Sequence, residues 1–242
     1  MTSRKCALVL VGESFRWGSQ NTRVRGVPES RDQQFAACKS HVEFMDSLLE
    51  KHGIKTDVYV CSYTTAYDQE LLDVYGQRVK QSKFYEDPIG TNPIYQAAIG
   101  LVESESEHDF MLIVRIDAFL KPRFTEIFDP EPKQILFASI CRKKHCVENG
   151  YLRANPTIVQ VPLKYKWMLS KISIGDHSAW HGVMCQPGMT VDDVDTMLQT
   201  YHDSDSEKDW NPLYYIVNRP ETQTFHSEGE VFRKTDYHPK QP

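Results

Sequence analysis

Apolar residues run unbroken from Cys6 to Val11 and then give way to Gly12-Glu13-Ser14. A run of that length predicts a strand covered on both faces. Over 31–52 the apolar positions Phe35, Cys38, Val42, Met45 and Leu49 are spaced by three and four, which puts them on one helical face. Ser30 with Gln33 has the pattern of a capping box, and Gly53 supplies a left-handed stop. Residues 57–61 read as the next strand. Strand, long helix and strand predict a right-handed βαβ unit on a parallel sheet.

A shorter helix is predicted around 66–75, with Tyr67, Leu71 and Tyr75 on one side and Gly76 at its end. Asn92-Pro93 opens another, running to about 103. The buried run 110–114 reads as a central strand that ends at Arg115-Ile116-Asp117, and Lys121-Pro122 stops any continuation. Further strands are expected at 134–140 and 157–161, with a helix at 162–172. Thr190 with Asp193 caps a helix expected to reach Tyr201, and 213–217 is expected to close the sheet. The whole is an α/β chain: a single Rossmann-like domain over 1–242, a central mostly parallel sheet flanked by helices, and a polar, proline-dotted tail at 219–242 wrapping the surface.

Composition narrows the function. The chain has 242 residues, 40% hydrophobic and 25% charged, with a net charge of −5. Those values fit a globular enzyme and give no broad attraction for nucleic acid or anionic membrane. No apolar window is long enough to span a bilayer, and the N-terminus lacks the pattern of a signal peptide. A cytoplasmic location is expected, with the six cysteines as free thiols. Cys141 and Cys146 lack the second ligand pair that structural zinc requires. No Gly-x-Ser-x-Gly elbow is present.

In open parallel sheets ligands bind beyond the carboxyl ends of the strands. Two such ends carry chemistry. After the first strand, Gly12, Glu13, Ser14 and Arg16 are followed by Arg23, Arg25 and Arg31. Glycine admits a ligand to the backbone, Ser14 offers a hydroxyl, and arginine matches phosphate oxygens in bidentate fashion. The segment is neither a dinucleotide fingerprint nor a P-loop. It reads as a nucleotide or diphosphate site, or as a solvated basic loop. At the second end Arg115 and Asp117 point to one side, since strand side chains alternate. They can face a common ligand, with Asp117 on a divalent cation, or pair with each other. A third cluster, His202, Asp203 and Asp205, precedes Trp210 and combines a metal ligand with candidate bases for an acceptor hydroxyl. Trp210 and Trp180 are candidate sugar-stacking rings. The same cluster also reads as turn and cap residues.

The order of these features resembles a GT-A-type glycosyltransferase, with 9–12 as the nucleotide-binding strand end and 113–117 as the metal-binding one. The pattern is similar to that of small transferases of algae and their large DNA viruses. The resemblance implies a nucleoside diphosphate sugar donor, a glycan or glycoprotein acceptor, and manganese or magnesium. In that family an Asp-x-Asp motif holds the metal; here Arg115 stands in place of the first acid. Asp117 alone carries over as metal ligand, with His202 a later candidate, and Arg115 would neutralise diphosphate charge. Asp203 or Asp205 would be the catalytic base of an inverting reaction. The rival expectation is a non-catalytic glycan- or nucleotide-binding module on the same fold; a nucleotidyltransferase is a third.

Overall fold

The computed structural model of the protein describes residues 4–17, 24–102, 107–137, 140–141, 151–154, 157–166, 173–177, 180–184, 198–200 and 213–217. Strand β1 spans Lys5–Val11, followed by the two-residue strands β2 (Arg16–Trp17) and β3 (Val24–Arg25) and the helix α1 (Arg31–His52). Next come β4 (Lys55–Tyr63), α2 (Asp68–Tyr75), β5 (Val79–Tyr85), α3 (Thr91–Gly100), β6 (Phe110–Arg115), β7 (Ala118–Leu120) and α4 (Pro122–Ile127). Short strands complete the described chain: β8 (Ile135–Phe137), β9 (Ile140–Cys141), β10 (Tyr151–Ala154), β11 (Ile158–Pro162), β12 (Ser173–His177), β13 (Trp180–Met184), β14 (Leu198–Thr200) and β15 (Tyr214–Ile216).

The main sheet has seven strands in the order β14-β8-β11-β6-β1-β4-β5. Pairing is parallel throughout except at β11, which runs antiparallel to both β6 and β8. The expected α/β class with a mostly parallel central sheet is what the chain forms. Strand β1 explains why: Cys6, Leu8 and Leu10 pack with Cys38, Phe44, Met45 and Leu48 of α1. Ala7, Val9 and Val11 pack with Ile94, Tyr95, Ala98 and Ile99 of α3 on the other face. Both faces are covered, so alternation vanishes from the sequence and only a continuous apolar run is left. Gly53 closes α1 at φ 65°, in the left-handed region where glycine carries no Cβ penalty. Cys6, Cys38 and Cys61 are buried free thiols. Burial pushes the Cys38 and Cys61 thiols up to about 11, which keeps them protonated packing groups.

Three expectations need correction. Residues 198–200 are a strand beside β8, where a helix was expected to reach Tyr201; sheet pairing outweighs local helix preference. Residues 213–217 do not close the main sheet, because β15 pairs antiparallel with β7 in a separate ribbon. The expected helix at 162–172 opens with a 3-10 turn at Leu163–Tyr165 that passes into helical backbone at Lys166, and 167–172 lie outside the described residues. The capping box at Ser30 does not form. The Ser30 hydroxyl instead turns to the Val27 and Phe15 carbonyls at 2.8 and 2.9 Å. The sequence reading also passed over β5. Its solvent-facing Lys80, Gln81, Ser82 and Lys83 mark an edge strand whose charges discourage further pairing. The proposed tail, 219–242, lies outside the described residues. No helix among the described residues is long and apolar enough to cross a membrane.

Candidate functional site

The order of connections fixes where a ligand could sit. From β1 the chain passes through α1 and α2 on one face to reach β4 and β5. It then crosses through α3 on the opposite face to return as β6 on the other side of β1. Successive connections therefore leave in opposite directions at the β1–β6 boundary, a topological switch point that opens a crevice at the strands' carboxyl ends. Val11 lies in register with Arg115. The Gly12–Arg16 loop and the Arg115–Asp117 turn consequently leave the sheet side by side.

Gly12 sits at φ 119°, and a Cβ there would meet no described residue within 4 Å. The backbone conformation calls for glycine, and no described residue fills the space in front of it. Ser14 is fully buried, and its hydroxyl pairs with that of Ser62 at 2.8 Å, so it faces the sheet. Phe15 has φ 50°, a left-handed conformation that is costly for a bulky residue. Three hydrogen bonds hold it there: its N–H donates to Gln34 Oε1 at 3.1 Å, and its carbonyl accepts from Gly26 N–H and the Ser30 hydroxyl, both at 2.9 Å. Its ring packs against Phe35 and Tyr67. A strained turn braced this heavily delivers Arg16 back over the end of β1.

Four charged side chains meet there, Glu13, Arg16, Arg115 and Asp117, with Arg25 nearby at the end of β4. Arg115 clamps Asp117 in bidentate fashion, Nε to Oδ1 at 2.9 Å and Nη2 to Oδ2 at 2.7 Å. Arg16 approaches the same Oδ2 at 3.7 Å and Glu13 Oε2 at 3.7 Å. Arg25 stands opposite Arg16 in the β2–β3 ladder, and its guanidinium lies 4.8 Å over the Tyr63 ring at the end of β4. Its buried Nη1 has no hydrogen-bond acceptor among the described residues. Arg16 and Arg115 thus face two carboxylates, while Arg25 stands across the ladder from Arg16, a like-charge pairing that favours an additional anion. Arg31 does not join them; it pairs with Glu70 and stacks on Phe35.

Two polar residues of α1 that the sequence reading did not single out hold the two halves together. Gln34 Nε2 donates to the Ile116 carbonyl at 2.7 Å while its Oε1 serves Phe15. His41 Nε2 bonds the Ala118 carbonyl at 2.7 Å and Nδ1 lies 2.9 Å from the Tyr75 hydroxyl. Because a carbonyl only accepts, Nε2 carries the proton and Tyr75 donates to Nδ1. Their signal in the sequence is a polar side chain at a helical step from Cys38 on an otherwise apolar stripe. Gln34→Leu is expected to cost about 2 kcal/mol, by orphaning a buried N–H and a buried carbonyl. Urea unfolding measures this; a change below about 0.5 kcal/mol would mean the loop is braced elsewhere.

A divalent cation was expected on Asp117 and His202. Asp117 has no exposed surface, and both its oxygens accept from Arg115. A cation there would have to displace that guanidinium. At about 5 Å and an effective dielectric of about 20, a divalent ion and a guanidinium repel by roughly 6 kcal/mol. Arg16 adds to this. Among the described residues no three His, Cys, Asp or Glu side chains cluster as a metal site. Among the described residues, the surroundings of Asp117 do not fit a resident divalent cation. His202, Asp203, Asp205 and Trp210 lie outside the described residues.

No family model matches the chain. No curated protein matches it in sequence. Solved structures do resemble it in outline. One is a variant of a Drosophila β-1,4-galactosyltransferase 7 in complex with manganese, UDP-Gal and xylobiose: TM-score 0.46, 9% identity, covering 93% of this chain and 77% of that one. Another is HddC from Yersinia pseudotuberculosis complexed with GMP-PN: TM-score 0.43, 9% identity, covering 90% and 95%. A third is a glycosyltransferase involved in glycosylation of the major capsid of PBCV-1: TM-score 0.34, 10% identity, covering 69% of this chain and 64% of that one. At such scores the likeness carries no inference about chemistry.

Proposed function

We propose that the chain is a glycosyltransferase that takes a nucleoside diphosphate sugar and passes its glycosyl group to a hydroxyl of a glycan or glycoprotein. The observation that carries this reading is the placement of Arg16 and Arg115 at the β1–β6 switch point, with Arg25 across the ladder from Arg16 at the adjoining end of β4, beside Gly12. Fixed guanidiniums beside an accessible backbone suit a diphosphate.

In the reaction the bond between the anomeric carbon and the donor phosphate oxygen breaks, and the acceptor oxygen forms the new bond to that carbon. The nucleoside diphosphate departs with the electron pair of the broken bond. Arg16, Arg25 and Arg115 would meet its growing negative charge with donors already in place. The acceptor proton passes to a base, for which Asp203 and Asp205 are the candidates if configuration inverts. Holding donor and acceptor at one rim supplies the rest of the acceleration.

The complete burial of Asp117 favours a second reading, a module that binds the nucleotide or a glycan without turnover. Two measurements separate them. In thermal denaturation UDP or GDP should raise the melting temperature, corresponding to about 2.7 kcal/mol at a hundred times Kd. Incubation with UDP- and GDP-sugars and oligosaccharide acceptors should release free nucleoside diphosphate. Stabilisation without release would establish the module. No stabilisation by either nucleotide would remove the donor reading altogether.

A further inference from the structure

We infer that the diphosphate is held by the arginines alone, with Asp117 acting as a positioning residue for Arg115, so that nucleotide binding does not depend on a divalent cation. The inference rests on the donor site proposed above and concerns how its charge is met.

Three observations carry it. The place where a metal-binding carboxylate would face the ligand is already filled by a cation of the chain itself: Arg115 bonds both oxygens of Asp117, at 2.9 and 2.7 Å. That carboxylate is inaccessible, with 0% exposure, whereas the Arg115 side chain keeps 12%. The carboxylate is therefore closed off, while Arg115 keeps a small exposed surface at the end of β6. Finally, Arg16 and Arg25 oppose each other across a two-residue ladder, and Arg25 Nη1 is a buried donor without an acceptor among the described residues. Such a donor is matched by a phosphate oxygen and not by a metal ion. The fixed positive charge does the work that a cation would otherwise do in neutralising the diphosphate. Asp117 orients that charge, as a carboxylate beneath a guanidinium fork does.

The test is titration calorimetry of the full chain with UDP and with GDP, in EDTA and in excess manganese. The bound nucleotide should show a Kd within about threefold in the two conditions. Arg25→Met, which breaks no buried ion pair, should raise Kd roughly tenfold in both. Asp117→Asn keeps one acceptor for Arg115 and should weaken binding less than Arg25→Met, with no manganese response in either background. A Kd that falls tenfold or more on adding manganese, with that response lost in Asp117→Asn, would overturn the inference and make Asp117 a metal ligand while leaving the donor site standing. Binding of neither nucleotide in either condition would overturn the inference together with the donor site.

Discussion

Arg115→Met is expected to destabilise the protein by about 3–5 kcal/mol, the usual consequence of stripping the partner from a buried carboxylate. Asp117 is fully buried, and Arg115 donates to both of its oxygens, at 2.9 and 2.7 Å. Arg16 remains, but at 3.7 Å it is too distant to replace a bidentate clamp. Against a total stability of about 5–15 kcal/mol the loss is large. In a chain of this size it corresponds to a melting temperature lower by on the order of 10 °C. The double variant Arg115→Met/Asp117→Leu removes the stranded charge and should recover a substantial part of the loss. Chemical denaturation of the three proteins measures both effects. A cost below about 1 kcal/mol for Arg115→Met would show that Asp117 is not held as described.

The second large effect is acid lability through His41. Burial pushes its pKa down from the ordinary 6.5 to about 4, because the ring is enclosed and its charged form loses hydration. The hydrogen bond to the Ala118 carbonyl and the nearby Asp117 charge act in the opposite direction and only offset part of this. Between those two values the unfolded chain binds a proton that the folded chain refuses. The stability due to the neutral ring is therefore fully present above about pH 6.5 and is lost as pH falls toward about 4, a change on the order of 3 kcal/mol. Carboxylates titrate in the lower part of that window, so the informative quantity is a difference. Unfolding free energies of the natural protein and of His41→Gln, followed over the same pH range, should converge as pH falls. Parallel curves would mean that His41 is not buried neutral.

Both effects arise where the sequence was hardest to read. The run Cys6–Val11, the spacing of Phe35, Cys38, Val42 and Met45, and the run Phe110–Val114 showed the sheet centre and its covering helix. Their apolar periodicity is set by the packing itself. Strand β5 was not legible because an edge strand with Lys80 and Lys83 toward solvent shows no alternation. Residues 198–200 and 213–217 take their form from distant partners, β8 and β7, and local propensity carries no trace of such pairing. The site was half visible. Position after a buried strand marked Gly12, Arg16, Arg115 and Asp117 as neighbours of a rim, and period-two alternation put Arg115 and Asp117 on one side. That the two would lock together depends on the burial of Asp117. Burial at a strand end is a tertiary property. Gln34 and His41 escaped for the same reason: a polar residue on an apolar stripe gains its meaning from the carbonyls of Ile116 and Ala118, far away in the chain.

The proposed transferase docks its anionic donor where β1 and β6 end. A crystal of the protein grown or soaked with UDP or GDP, manganese present, tests this most directly. The diphosphate should lie within hydrogen-bond distance of Arg16, Arg25 and Arg115, in front of Gly12, with the Arg115–Asp117 clamp intact. A nucleotide found at any other edge of the sheet, or bound while those three guanidiniums stay turned away from it, would contradict the account.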